Sequence, residues 1–210
     1  MANSNSPFGL KPVRHLLGLP MNGSVQPMYI PSTYATALFI GDPVIKTSNG
    51  SNAALVKAPG VGEFAIGTLP EINKATAGDG NRITGVIVAF AADPTNLNLV
   101  HRPASTERIA FVNIDPFTVY EIQADGPIPA ADIGLNAVLI YTQSGSTVTG
   151  LSGVELDTTS DVPAADASNQ LLILRAVNRV DNDTTLTRAK VEVLINQHTE
   201  NQGTVGTLGI

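Results

Sequence analysis

The chain has 210 residues, of which 43% are hydrophobic and 14% charged, with no cysteine and a formal net charge of −6. That length and apolar content suit one sizeable domain with extensions, or two small ones, and exclude a chain disordered throughout. The lack of cysteine removes disulfides, thiolate nucleophiles and sulfur ligands and favours folding in a reducing cell interior, while the acidic balance argues against a general nucleic-acid binder.

The first segment, residues 1–36, reads as an extended arm. Five of the 14 prolines fall within its first 31 positions, each fixing its own φ and pushing its predecessor toward extended geometry. The stretch PFGLKPVRHLLGLP is too apolar for a solvated tail and too broken by Pro7, Pro12, Gly18 and Pro20 for a helix. Lys11, Arg14 and the prolines also interrupt it too often for a secretory signal. No run of about 18 apolar residues follows anywhere, so no spanning helix and no membrane partner are expected. An isolated extended segment cannot satisfy its own backbone or bury its own apolar side chains. Phe8, Leu10, Lys11, Val13, Arg14, Leu16, Leu17 and Leu19 are therefore expected to dock on another subunit. Lys11 and Arg14 are the only charged residues before position 42, which leaves 10 basic and 18 acidic residues beyond them, a net −8.

From residue 37 to about 200 the pattern changes to short apolar runs separated by Gly, Pro, Asn, Asp and Ser, which predicts a β domain. Strands are expected at 37–46, 53–58, 83–91, 108–114, 118–124, 136–142, 153–157, 170–180 and 189–197. AKVEVLINQ alternates Val191, Val193 and Ile195 against Lys190, Glu192 and Asn196, and TVYEIQA behaves similarly, so both read as half-buried strands. ITGVIVAFA and LLILRAV are continuous apolar runs, expected at the centre with both faces covered. PAADIGLNAV holds one helical turn, with Pro129 at its start and Gly134 at its end. NRVDNDTTLTRAK reads as the connection of a hairpin between the last two strands. Residues 201–210 form a Gly-rich tail, frayed or docked on a neighbour. The fold class is all-β: an antiparallel β-barrel or a jelly-roll-like sandwich with an extended N-terminal arm.

A search for chemistry finds none that converges. His15, His101 and His198 have no metal-ligand spacing. His101, Ser105 and Glu107 in VHRPASTER lack the frame of a nucleophile elbow and read as a polar loop. Asp42, Asp93 and Asp115 each precede a proline at a strand boundary, where a carboxylate serves a turn. Asp181 and Asp183 lack the glycine and distal glutamate of a calcium loop. GDGNRITG and GLPMNG are not phosphate-binding loops. No catalytic residue, cofactor or metal is expected.

Several phrases in order, SPFGLKPVRHLLG, YIPSTYATALFIGDPV, ITGVIVAFAADPTNL, VHRPASTERIAFV, EIQADG, AADIGLNAVL and STVTGLSGVEL, resemble the capsid cement or decoration proteins of tailed bacteriophages. The resemblance covers most of residues 6–160. It implies a non-catalytic β module, made in the cytoplasm of a bacterial host, on the outer capsid surface of a virion. Its implied partners are the major capsid protein and sister copies, as dimer or trimer, with no nucleic acid. The other readings are a head-fibre or receptor-binding protein, which should show repeats or an exposed binding face, and a small β-barrel hydrolase, which would need convergent ionisable residues.

Overall fold

The computed structural model describes residues 3–20, 24–51, 55–58 and 62–200. Short turn-bounded runs do form strands: β1 (Lys11–His15), β2 (Val25–Ile30), β3 (Pro43–Gly50), β4 (Leu55–Ala58), β5 (Gly62–Ala65), β6 (Pro70–Lys74), β7 (Gly85–Phe90), β8 (Arg108–Asn113), β9 (Thr118–Gln123), β10 (Asn136–Ala137), β11 (Leu139–Ile140), β12 (Glu155–Leu156), β13 (Leu171–Ala176) and β14 (Lys190–Ile195). The single helical element among the described residues is a 3-10 turn, Ala130–Asp132. It follows Pro129, and the chain leaves it through Gly134 at φ 94°. No helix among the described residues is long and apolar enough to cross a membrane. The expected tail, 201–210, lies outside the described residues.

Two sheets carry the architecture. Strands β2, β6, β3, β7 and β8 close into a five-stranded barrel, antiparallel throughout except where Tyr29 of β2 meets Glu71 of β6 in parallel. Period-two alternation fills its interior with Met28, Ile30, Val44, Ile72, Ile87, Ala110 and Val112. The second sheet has the order β1-β9-β14-β13-β10, and β11 and β12 form a small ribbon. The largest core lies between this sheet, the ribbon and the flank of the barrel, joining Tyr120, Ile122, Val191, Val193 and Ile173 to Val86, Ile83 and Leu139. The hairpin expected between the last strands is present, with Leu171 opposite Ile195 and Ala176 opposite Val191.

Three expectations need correction. Residues 1–36 do not stand apart as an arm: β1 is the edge strand of the second sheet, paired with β9, and β2 closes the barrel on β8. Their prolines sit where a missing N–H costs little, Pro12 on an outer edge and Pro27 in the half of β2 that pairs only with β8. Second, β9, read from sequence as half-buried, is buried along its whole length of six residues. Its inner face joins the core, while outward-facing Glu121 and Gln123 are covered by Arg179, Glu155, Asn5 and Ser6. Third, β13 alternates buried and partly exposed residues instead of being covered on both faces, since one side of the sheet faces solvent there.

The N-terminal segment is seated by a close backbone crossing. Leu10 N–H donates to Gly41 O at 3.0 Å, and Gly9 and Gly41 adopt positive φ, 72° and 91°. A Cβ on Gly9 would lie 2.5 Å from Gly41 O, and one on Gly41 would lie 2.5 Å from Phe8 O. Glycine alone fits both the conformation and the space. Beside the crossing, the fully buried Asp42 accepts from Phe39 N (2.8 Å) and Ser152 Oγ (2.6 Å) and pairs with Lys74 Nζ at 2.9 Å. This carboxylate ties the start of β3 to β6 and to the 150s loop, so its buried charge is compensated from three directions.

Gly41→Ala should lower the unfolding free energy by at least about 2 kcal/mol, from left-handed strain and overpacking together. Gly18→Ala, at a positive φ with no atom within 4 Å of its added Cβ, should cost about 1 kcal/mol. Urea denaturation of the two variants measures the difference.

Candidate interaction surface

Seating β1 on β9 divides the eight residues expected to dock. Leu10 is fully buried in the chain's own core, and Phe8 is partly buried beside it. For Leu10, what the segment sits on is the protein's own core, which corrects the expectation that it waits for another subunit; Phe8 lines an open cleft. Arg14 pairs with Glu192 of β14 at 2.9 Å, and Arg175 of β13 holds the same carboxylate at 2.8 Å. The two guanidiniums hold the Glu192 carboxyl below its ordinary range against the opposing effect of its burial. Lys11 and Val13 are exposed. Leu16, Leu17 and Leu19 stay at the surface, Leu17 and Leu19 with 66% and 59% of their area in solvent.

These leucines are not loose. Gly18 N donates to His15 O, and Leu17 N donates to His15 Nδ1 at 3.2 Å. With Nδ1 accepting, the imidazole proton lies on Nε2, which is 3.2 Å from Asp115 Oδ2. Asp115 Oδ1 accepts from Phe117 N at 2.9 Å, and Leu16 N donates to Phe117 O at 2.8 Å. His15 and Phe117 rings lie 6.0 Å apart. Two segments, 14–19 and 115–118, are thereby locked into one surface on which Leu16, Leu17, Leu19 and Phe117, itself 45% exposed, share one end of the sheet. Phe117 and the role of His15 were not anticipated from sequence. The available signal was the large apolar residue in DPFT, at a turn where polar residues are usual. The outer edge of β1 is poorly suited to adding a strand, because Pro12 lacks a donor and the register shifts between Pro12 and Arg14. The surface therefore offers side chains.

The other sequence candidates take separate structural partners. His101 stacks on Phe39 with ring centroids 5.1 Å apart, Glu107 accepts from Tyr29 Oη at 2.8 Å, and Ser105 N donates to Tyr34 O. The structure does not bring the three together. The arginines of the same loop hold it in place: fully buried Arg102 donates to Thr106 O, Thr36 O and Pro31 O, and Arg108 to Ala91 O, Leu99 O and His101 O. Asp93, Asp115 and Asp183 each accept from a backbone N–H two residues on, which is the turn role expected of such carboxylates. Among the described residues, no group of three or more His, Asp or Glu side chains is placed to hold a metal ion. Comparison of the chain with protein-family models, curated proteins and solved structures finds no match.

His198, near Asp115, is almost fully buried, and its Nδ1 accepts from Glu200 N at 3.1 Å. Burial pushes its pKa down to about 4, and Lys46 adds to the shift while Glu200 and Asp115 oppose it. In the unfolded chain the imidazole titrates near its ordinary value of about 6.5, so the unfolded state takes up the proton first. The stability this neutral histidine allows above that value should be lost progressively as pH falls from about 6.5 to about 4. Urea unfolding across this window should show a shallower pH dependence for His198→Gln than for the wild type.

Proposed function

We propose that this chain is a structural virion protein, a cement or decoration protein that binds and stabilises the outer surface of a bacteriophage shell through its major capsid protein, without catalysis. The observation that carries the reading is the preset apolar turn. The His15–Asp115 lock fixes the backbone at Leu17 and Phe117, and Leu16, Leu17, Leu19 and Phe117 keep between 37% and 66% of their area in solvent. A folded chain gains nothing by holding four large apolar side chains in water in a fixed geometry unless a second surface covers them. The resemblance of the ordered phrases to phage head proteins supports a capsid shell as that surface. The low charged fraction fits a molecule that spends its working life against neighbours.

Prior fixing of the turn lowers the entropy lost on docking, so the burial gain appears as affinity. Fully burying one leucine contributes about 1.5–3 kcal/mol. The tempting test, deletion of residues 1–20, would remove Leu10 from the core and leave β9 without its edge neighbour, so unfolding would mask any docking effect. Point substitution avoids this. Leu17→Ser with Leu19→Ser should leave the melting temperature nearly unchanged and reduce occupancy on shells lacking the protein by at least about tenfold at limiting concentration, since each lost contact of this size is worth about a decade. Co-sedimentation with purified shells reads the occupancy, and full decoration by the double variant would reject the proposal.

A further inference from the structure

At the opposite end of β1 an open cleft of about 660 Å³ separates the second sheet from the barrel. Phe8, Leu10, Pro12, Ile40, Ile87 and Leu151 make its walls largely apolar, and Lys11, Arg179 and Glu121 contribute two cations and one carboxylate to its lining. Arg179 already pairs with Glu121 at 2.6 Å and lies 3.5 Å from Asp181. Lys11, directly across the strand pair from Glu121, has no ion-pair partner among the described residues. Arg14 and Arg175, grouped over the recessed Glu192 on the same outward face, extend the positive edge.

The same chain carries a loop with the matching pattern. Residues 161–166 read DVPAAD: an apolar centre, with Val162 65% exposed and Ala164 and Ala165 exposed, between two aspartates. The loop is held in shape. Ala164 exchanges both backbone hydrogen bonds with Asn136, at 2.8 and 2.9 Å, and Asp166 Oδ1 accepts from Ser168 N and Oγ, both at 2.8 Å. Burial and then the carboxylates of Asp79, Asp157 and Asp166 raise the Asp161 carboxyl above its ordinary range, and no cation counters them. A cation brought to this loop from outside would relieve that repulsion.

We propose that the 161–166 loop of one copy seats in the cleft of a second copy, with Val162 against the apolar walls and Asp161 and Asp166 toward Lys11. Charge complementarity selects the occupant: an apolar cleft edged by Lys11, unpaired among the described residues, and an apolar loop flanked by two carboxylates stand on one otherwise acidic molecule. Because the two surfaces differ, the contact is heterologous and closes into a ring if the rotation between copies allows. It does not rest on the capsid reading, since it needs only this chain.

Sedimentation velocity of the full chain at about 50 mM and about 500 mM salt tests the proposal, as salt at the higher level screens exposed pairs. Association is expected at low salt and should weaken tenfold or more at high salt, with Lys11→Glu and with Val162→Asp. Lys11→Glu combined with Asp161→Lys should regain association. Val162 is exposed, so the melting curve of Val162→Asp should match the wild type, while Lys11→Glu faces Glu121 across the strand pair and should melt slightly lower. An independent reading uses the absence of native cysteine: Val88→Cys, in the cleft, with Val162→Cys should yield disulfide-linked oligomers on oxidation. A chain that stays monomeric at low salt at every concentration, including one whose basic face binds an added polyanion instead, overturns the proposal. So does association indifferent to these substitutions, or a cysteine pair that forms no link between copies.

Discussion

Two glycines in backbone contact hold this molecule together. At the crossing of Gly9 and Gly41 the N-terminal segment approaches the barrel more closely than any side chain would permit, and Leu10 N–H is bonded to Gly41 O as a result. That contact delivers Leu10 to the core and aligns β1 on β9. It also sets Asp42 among Ser152, Lys74 and Phe39. The direction of β1 then fixes what lies at either end of it. One end borders the cleft against the barrel, and the other turns at His15 and presents the leucines. A short-range steric fact thus positions two surfaces of different character on a single strand.

The strands legible in the sequence were those whose side chains alone announce them. β7, β8, β9, β13 and β14 are rich in β-branched, aliphatic and aromatic residues between turn signals, and all five fall inside the stretches read as strands. β1 and β2 were misread because prolines normally argue against strand, and only the pairing pattern shows that Pro12 and Pro27 lie where no donor is needed. β6, PEINK, offers one fully buried aliphatic side chain and two charges, too little to stand out from loop. The coverage of β9 was also hidden. Its Glu121 and Gln123 look solvated until Arg179, Glu155 and the first residues of the chain are folded over them.

For the interaction surface, composition supplied the leucines and geometry supplied their arrangement. An apolar list drawn from 8–19 could not distinguish Leu10, with no exposed area, from Leu17, because the divide between them depends on a backbone crossing with residues thirty positions away. Phe117 joins them from another segment through His15 and Asp115, a link with no sequence spacing to betray it. The buried arginines of VHRPASTER teach the same lesson from the other side. Residues that look like chemistry in one dimension become, in three, the donors that satisfy loop carbonyls.

The pairing of the earliest strands with late ones has a consequence for how the chain is made. Lys11 must wait for Glu121 before β1 has a partner, and Val25 must wait for Asn113, although Tyr29 of the same strand meets Glu71 sooner. At about 5–20 residues per second, the ribosome needs on the order of 5–20 s to supply them. During that interval β1 has no sheet to join, and loop closure over so long a span makes the pairing slow even afterwards. Leu16, Leu17 and Leu19 are therefore exposed twice, first in an unpaired nascent segment and later on a finished surface. The two prolines in β1 and β2, which weaken pairing with foreign strands, guard the chain in the first of these exposures.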